Sequence, residues 1–370
     1  AHGGGVEFGP NAYSEAQWRT QYNIDQDGDL DIIYSGVDPY VGGILKNDGN
    51  GNFTKTSQVI PGLFIPSLQA GDIEGDGDMD VIICGWDRAN GWQNYTRLLR
   101  NNGTGTFTPE IPPSVNAPSA GFADLDNNGL LDYFMIGNGR NNNKFYFQQA
   151  AGFQAAVPRL GNANSYGDPD ASWADIDNDQ DVDFCVMAYN SSQARRYTQF
   201  WKNNGHGQFT EQTIPIKQKH WGSSQFADID NDGDLDVLLN GDGDGHSDNG
   251  SSEIFRLYIN NGTGGFTEGA KFERYRQNTN GKGSSFVDWD NDGDYDIILT
   301  GWSSSENKEV TNVYLNNGTG VFTKSGESVA IPGVNRGSID LGDFNNDGKI
   351  DVLINGYAGL YTRTVAFLYK

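Results

Sequence analysis

The sequence predicts an all-β fold, a single seven-bladed β-propeller over residues 1–370 built from four-stranded antiparallel blades. Three observations carry that expectation. An acidic nine-residue stretch recurs seven times, from Asn23, Asp72, Asp124, Asp175, Asp228, Asp288 and Asp343, at intervals of 49, 52, 51, 53, 60 and 55 residues. Such a period marks a repeat architecture. Each copy leads into a short apolar run and, further on, an Asn-Gly turn, the pattern of strands joined by tight hairpins. No stretch shows a 3.6-residue apolar period, so almost no helix is expected.

The sixth repeat shows the elements in order. Residues 285–288 read as a first strand entering the acidic stretch. Asp296-Ile297-Ile298-Leu299-Thr300 follows as a second strand, its unbroken apolar run suited to burial on both faces. Gly301-Trp302 opens a polar loop, and residues 310–316 form a third strand. Asn317-Gly318 turns the chain into a short outer strand at 321–323. Four antiparallel strands in about fifty residues make one propeller blade. The turn recurs at 47–53, 101–107, 203–209 and 260–266, and is degraded in the third repeat to Gly152-Phe153. The seventh repeat lacks a fourth strand after 363–369. Residues 4–9 resemble that strand and are expected to pair antiparallel with 363–369, closing the last blade and covering its edge.

The acidic stretches have metal-ligand spacing. A hard cation such as Ca²⁺ takes about six to eight oxygens, and alternate residues of a coiled loop can supply them. Position 1 is Asn23, Asp72, Asp124, Asp175, Asp228, Asp288 or Asp343. Position 3 is Asp25, Glu74, Asp126, Asp177, Asp230, Asp290 or Asn345, and position 5 is Asp27, Asp76, Asn128, Asp179, Asp232, Asp292 or Asp347. Position 7 would give its backbone carbonyl, from Asp29, Asp78, Leu130, Asp181, Asp234, Asp294 or Lys349. Position 9 is Asp throughout (Asp31, Asp80, Asp132, Asp183, Asp236, Asp296, Asp351) and would close the cage with both oxygens. Seven bound Ca²⁺ are expected. The fourth loop carries Gln180 where the others have Gly, a strained choice if φ is positive there.

Charge supports this reading. The net charge is −24, and 30 of the 49 acidic residues lie in the seven loops, leaving 19 acids against 24 bases elsewhere. No basic stripe exists to neutralise phosphates, which disfavours nucleic acid, and no span suits membrane insertion. Weak calcium loops fill outside the cytosol, so a secreted or cell-surface location is expected, as is a processed chain, given the Ala1-His2-Gly3 start. Cys84 and Cys185 fall in non-neighbouring repeats and are expected to be unpaired buried thiols.

Segments such as DIDNDGDLDVLLNG, WDNDGDYDIILTG and NNGTG-x-F resemble the FG-GAP or VCBS repeats over essentially the whole chain. The resemblance implies a seven-bladed propeller with calcium between the first two strands of each blade, as in integrin α heads, some fungal lectins and secreted bacterial proteins. It implies no single activity.

A ligand is expected on the variable face, formed by loops between second and third strands. Trp86, Asp87, Arg88 and Trp92 of the second repeat, with Tyr40, Trp302 and Tyr357, suit a sugar: an indole stacks on the apolar face of a pyranose while polar groups meet its hydroxyls. Packing is the competing reading for Trp86 and Trp302, each directly after a glycine. The stretch 242–248 could hold an eighth metal, though a plain acidic loop is the favoured reading. No nucleophile, zinc or phosphate motif is present. The functional expectation is a non-catalytic module for glycan or polysaccharide. The alternatives are a protein-binding adhesion module, with a cell-surface or matrix partner, and a polysaccharide lyase or hydrolase.

Overall fold

The apolar run after each acidic loop becomes the buried second strand of a four-stranded antiparallel sheet, as its unbroken hydrophobicity requires. The computed structural model describes residues 6–7, 14–37, 41–87, 90–91, 93–112, 119–137, 143–150, 152–155, 166–190, 195–219, 222–241, 255–273, 275–276, 283–326, 331–358 and 363–369. All named elements are strands. The chain divides into two compact units, one of residues 1–159, 340–355 and 365–370, the other of 160–339 and 356–364.

The first unit opens with β1 (Val6–Glu7) and then three blades in chain order. These are β2 (Ser14–Tyr22), β3 (Asp31–Val37), β4 (Val41–Asn47) and β5 (Phe53–Lys55); β6 (Phe64–Gly71), β7 (Asp80–Asp87), β8 (Gln93–Arg100) and β9 (Thr108–Glu110); and β10 (Ser119–Ala123), β11 (Asp132–Ile136), β12 (Lys144–Gln149) and β13 (Gly152–Ala155). Neighbouring blades share apolar layers. Ile24, Ile33 and Ile44 pack with Leu68, Val81 and Ile83, and Ile73, Ile82 and Cys84 pack with Phe122, Tyr133 and Met135.

The second unit holds β14 (Tyr166–Ala174), β15 (Asp183–Asn190), β16 (Arg195–Lys202) and β17 (Thr210–Gln212), then β18 (Ser224–Ala227), β19 (Asp236–Leu239), β20 (Arg256–Ile259) and β21 (Thr267–Glu268). Its last sheet contains β22 (Tyr275–Arg276), β23 (Ser284–Val287), β24 (Asp296–Ser303), β25 (Lys308–Leu315) and β26 (Thr323–Lys324). This sheet departs from the four-strand expectation. β23 pairs with the first half of β24 and β22 with its end, so two segments share one edge. Cys185, Val237 and Leu239 pack between the first two blades, and Leu257, Tyr275 and Leu299 between the last two.

The remaining sheet has the order β1, β29 (Arg363–Tyr369), β28 (Asp351–Ala358), β27 (Asn335–Gly342). β1 is antiparallel to β29, with Val6 opposite Leu368 and Glu7 opposite Phe367. The N-terminal segment therefore supplies the outer strand expected of it; of residues 4–9, only 6 and 7 are described. Among the described residues, the chain thus forms antiparallel four-stranded β-propeller blades, six sheets having four strands and the β24 sheet five. Cys84 and Cys185 are buried thiols, not joined in a disulfide.

Several boundaries differ from expectation. β7, β24 and β28 run past the point where loops were expected, so Trp86, Asp87, Trp302 and Tyr357 lie in strands. Trp86 pairs across to Asn94 and Trp302 to Glu309, which keeps the ladder going beyond each glycine.

Candidate metal centres

The loop at 228–236 shows how the sequence coils. The Asp228 carboxylate accepts the backbone N–H groups of Asp232 (3.1 Å) and Gly233 (3.0 Å), and the Asp232 carboxylate accepts that of Asp234 (3.0 Å). Two residues adopt the left-handed conformation, Gly233 at φ 92° and Asn231 at φ 58°. The second was not anticipated. Position 4 is Gln26, Gly75, Asn127, Asn178, Asn231, Asn291 or Asn346, and all have φ between 55° and 72°. Asn tolerates this region better than most residues. Gln180 does take positive φ, at 71°, as its replacement of glycine implied.

The ninth residue has a structural role beside the one expected of it. Asp236 is buried, one oxygen accepting Ile229 N–H (2.9 Å) and the other Asn260 N–H (2.7 Å). Asp31, Asp132, Asp183 and Asp296 repeat that pair of bonds. The ninth carboxylate is thus first a bracket between its loop and the turn after the third strand. Its remaining lone pairs are those left for a cation. Burial pushes the carboxyls of Asp31, Asp132 and Asp236 up to about 6 and that of Asp183 up to about 7, against the opposing pull of the backbone bonds.

Position 7 has a second unforeseen role. Asn231 donates its amide to Asp294 (2.7 Å) and Asn346 to Asp29 (2.8 Å); Asn178 reaches Asp234, and Gln26 reaches Asp78. In these four pairs, position 4 of one loop holds the position-7 carboxylate of the next. The turn asparagines add a further link: Asn101 donates to Ile24 O, Asn260 to Ile176 O and Asn316 to Ile229 O, each at 2.7 Å. In the degraded third repeat Gln148 takes over this bond, to Ile73 O at 2.8 Å.

The residues present fit a divalent cation. Carboxylate oxygens of Asp124, Asp126 and Asp132 lie within 4.8 Å of one another, as do those of Asp175, Asp177 and Asp183, of Asp228, Asp230 and Asp232, and of Asp288, Asp290 and Asp296. Asn23 Oδ1, Asp25 Oδ1, Asp177 Oδ1 and Asp230 Oδ1 are buried without a hydrogen-bond donor. Buried polar oxygens are costly unless matched, and these sit at positions 1 and 3, where ligands were expected. Burial first, then the charges of Asp232 and Asp228, raises the Asp230 carboxyl.

Three loops contain a base that sequence reading missed. Lys46 pairs with Asp25 at 2.8 Å, Lys202 with Asp177 and with Asp179 at 3.0 Å, and Arg100 with Glu74 and with Asp80 at 3.2 Å. The signal was available. Each base directly precedes the asparagine of its turn, where the fifth and sixth repeats have Ile259 and Leu315.

Of the residues expected to meet a sugar, Trp86, Asp87, Trp302 and Tyr357 are described. Trp86 is half-buried, and successive strand residues face opposite ways, so Asp87 points away from it. Asp87 is buried and accepts Asn90 N–H (3.1 Å) and Asn90 Nδ2 (2.6 Å), closing its own turn. Trp302 and Tyr357 are half-buried. Tyr40, Arg88, Trp92 and the 242–248 stretch lie outside the described residues. A cleft of about 540 Å³ in the second unit is lined by Glu306, Lys308, Thr311, Asn312, Lys324 and Pro332, among others. No described helix is long and apolar enough to cross a membrane.

No curated protein matches the sequence. Among solved structures the chain is similar to AofleA from Arthrobotrys oligospora (12% identity, TM-score 0.47, covering 90% of this chain and 93% of that one). It is also similar to a putative glucose dehydrogenase from Thermus thermophilus (13% identity, TM-score 0.40, covering 99% of this chain and 100% of that one). A fructofuranosidase variant from Schwanniomyces occidentalis, complexed with fructosylnystose, gives 10% identity and a TM-score of 0.35 over 98% of this chain and 91% of that one. The FG-GAP-like repeat family matches residues 23–83, 124–186, 175–239 and 288–354. With most of its length matched and acidic loops inside every match, the chain belongs to the family of FG-GAP-like repeat proteins.

Proposed function

We propose that this protein is a secreted, calcium-loaded seven-bladed propeller that recognises carbohydrate without turning it over. The calcium reading rests on one observation, the buried oxygens of Asn23, Asp25, Asp177 and Asp230 that have no donor. In the fifth loop Asp228, Asp230 and Asp232 would hold the ion, which supplies the positive charge that three converging carboxylates need. Loops one and seven replace one carboxylate by Asn23 or Asn345, both still oxygen donors. One closed ring is supported by seven loops at nearly constant spacing and by the pairing of β1 with β29.

Carbohydrate is the ligand class that suits the cleft beside β25, where Thr311 and Asn312 sit among Glu306, Lys308 and Lys324. Lys324 is held by Glu273 (3.0 Å) and Glu306 (3.3 Å), and Lys308 by Glu306 (3.0 Å), so both lysines are already engaged by carboxylates and the cleft suits a neutral polyol. Calorimetric Ca²⁺ titration together with a glycan array, with and without chelator, tests both halves. Saturable uptake of several ions and calcium-dependent glycan binding without new chain ends are expected. Release of unsaturated or reducing ends would instead favour a lyase or hydrolase, and binding to a matrix protein alone would favour adhesion.

A further inference from the structure

The second loop differs from the others in two positions at once. It is the only loop with Glu at position 3, and the only one whose turn asparagine follows an arginine. The structure joins these two differences. The Arg100 guanidinium lies between Glu74 of position 3 and Asp80 of position 9, contacting the second at 3.2 Å, and its Nε donates to Glu110 at 3.2 Å. Asp80 is buried and belongs to the loop's bracket, also accepting Asn101 N–H at 2.8 Å. The extra methylene of Glu74 carries its carboxylate out to the planar fork, which suits paired oxygens better than an ammonium does. Carboxylates of loops three to six cluster as a metal site would; those of the second loop, with five acids, do not.

Lys46 and Lys202 are different. Lys46 meets one carboxylate of its loop, and its Nζ also donates to Thr104 O (2.8 Å). Lys202 meets two neighbouring carboxylates of positions 3 and 5. Neither reaches the ninth residue in these contacts. An ammonium on a flexible stem can leave when an ion arrives, whereas the guanidinium is fixed by three carboxylates from two strands and a loop.

We propose that Arg100 is the resident cation of the second loop, which therefore takes no Ca²⁺ and keeps its shape when calcium is absent. The inference rests on the calcium reading above only for the other loops. Native mass spectrometry at saturating Ca²⁺ tests it on the whole chain and on Asp76→Asn, Asp228→Asn and Arg100→Gln. Asp228→Asn should lose one ion, Asp76→Asn none, and Arg100→Gln should gain one. Loss of an ion in Asp76→Asn, or no gain in Arg100→Gln, would overturn the inference. If the parent chain binds no ion at all, the calcium reading fails, and melting in chelator then decides the matter for Arg100. There Arg100→Gln must melt several degrees lower, and an unchanged midpoint overturns the resident-cation role.

Discussion

Two aspartates of one loop look alike in the sequence and do opposite work. Asp236 spends both oxygens on backbone N–H groups, while Asp230 keeps a buried oxygen with no donor. Asp236→Asn should therefore destabilise with or without calcium, by about 2–4 kcal/mol, because its amide N–H₂ meets a backbone donor in a buried place. Asp230→Asn should cost little in chelator and should remove calcium's stabilisation at that loop. Thermal melts of both variants in Ca²⁺ and in EDTA check this; equal behaviour would refute the division of labour. Gln180→Gly should stabilise by about 1 kcal/mol, the cost of a side chain at positive φ, read from denaturant midpoints. The strain at Gln180 was legible because one glycine was missing from an aligned set. The use of position 4 was not, since asparagine in an acidic loop reads equally as a ligand or a turn former. Lys46, Arg100 and Lys202 escaped because the contact spans about twenty residues and depends on which side of the third strand faces the loop.

At the scale of the element, strand existence was legible and strand ends were not. Apolar runs such as Ile297-Ile298-Leu299 announce themselves, but the continuation of β24 through Gly301 and Trp302 depends on partners in β25 and β22. That continuation moves the tryptophan from an expected loop into a ladder. The division of one edge between β22 and β23 has no local signal either. The outer strand at the N-terminus was legible because Gly4 and Phe8 keep the Gly-x-x-x-Phe spacing of the other turns and outer strands. Deleting residues 1–10 should expose the N–H and C=O row of β29, lower the melting temperature by several degrees and promote self-association. Size-exclusion chromatography and melting of the truncated chain check this, and a monomer as stable as the parent would refute the role of β1.

For the whole molecule, the seven loops concentrate the negative charge, so under the calcium reading proposed above metal and protons would compete for one set of oxygens. A ligand confined to the folded state stabilises by about 2.7 kcal/mol per site at a hundred times Kd. Removing calcium with EDTA at neutral pH should then lower the melting temperature by more than about ten degrees. Acid should act in opposite senses in the two conditions. In the metal-free protein the buried carboxyls of Asp31, Asp132 and Asp236 sit up at about 6 and that of Asp183 at about 7, above their unfolded values near 4. Folding therefore takes up protons as pH falls, and their contribution is lost as pH rises through 6–7. In EDTA the melting temperature should rise from pH 8 to pH 5. In excess calcium it should fall over the same range, because protons displace the ion. Parallel profiles in the two buffers would refute the competition. A mechanical consequence follows from the two-residue pairing of β1 with β29. Because the strands are antiparallel, Val6, where β1 begins, pairs with Leu368 near the end of β29, so both outward chain directions lie at one end of the pairing. Tension applied to one end against the other would open those hydrogen bonds one at a time, like a zip, instead of loading them together in shear. A partner fused at both ends would thus pull on the weakest direction of this seam, whereas tethering by one end alone would leave it unloaded.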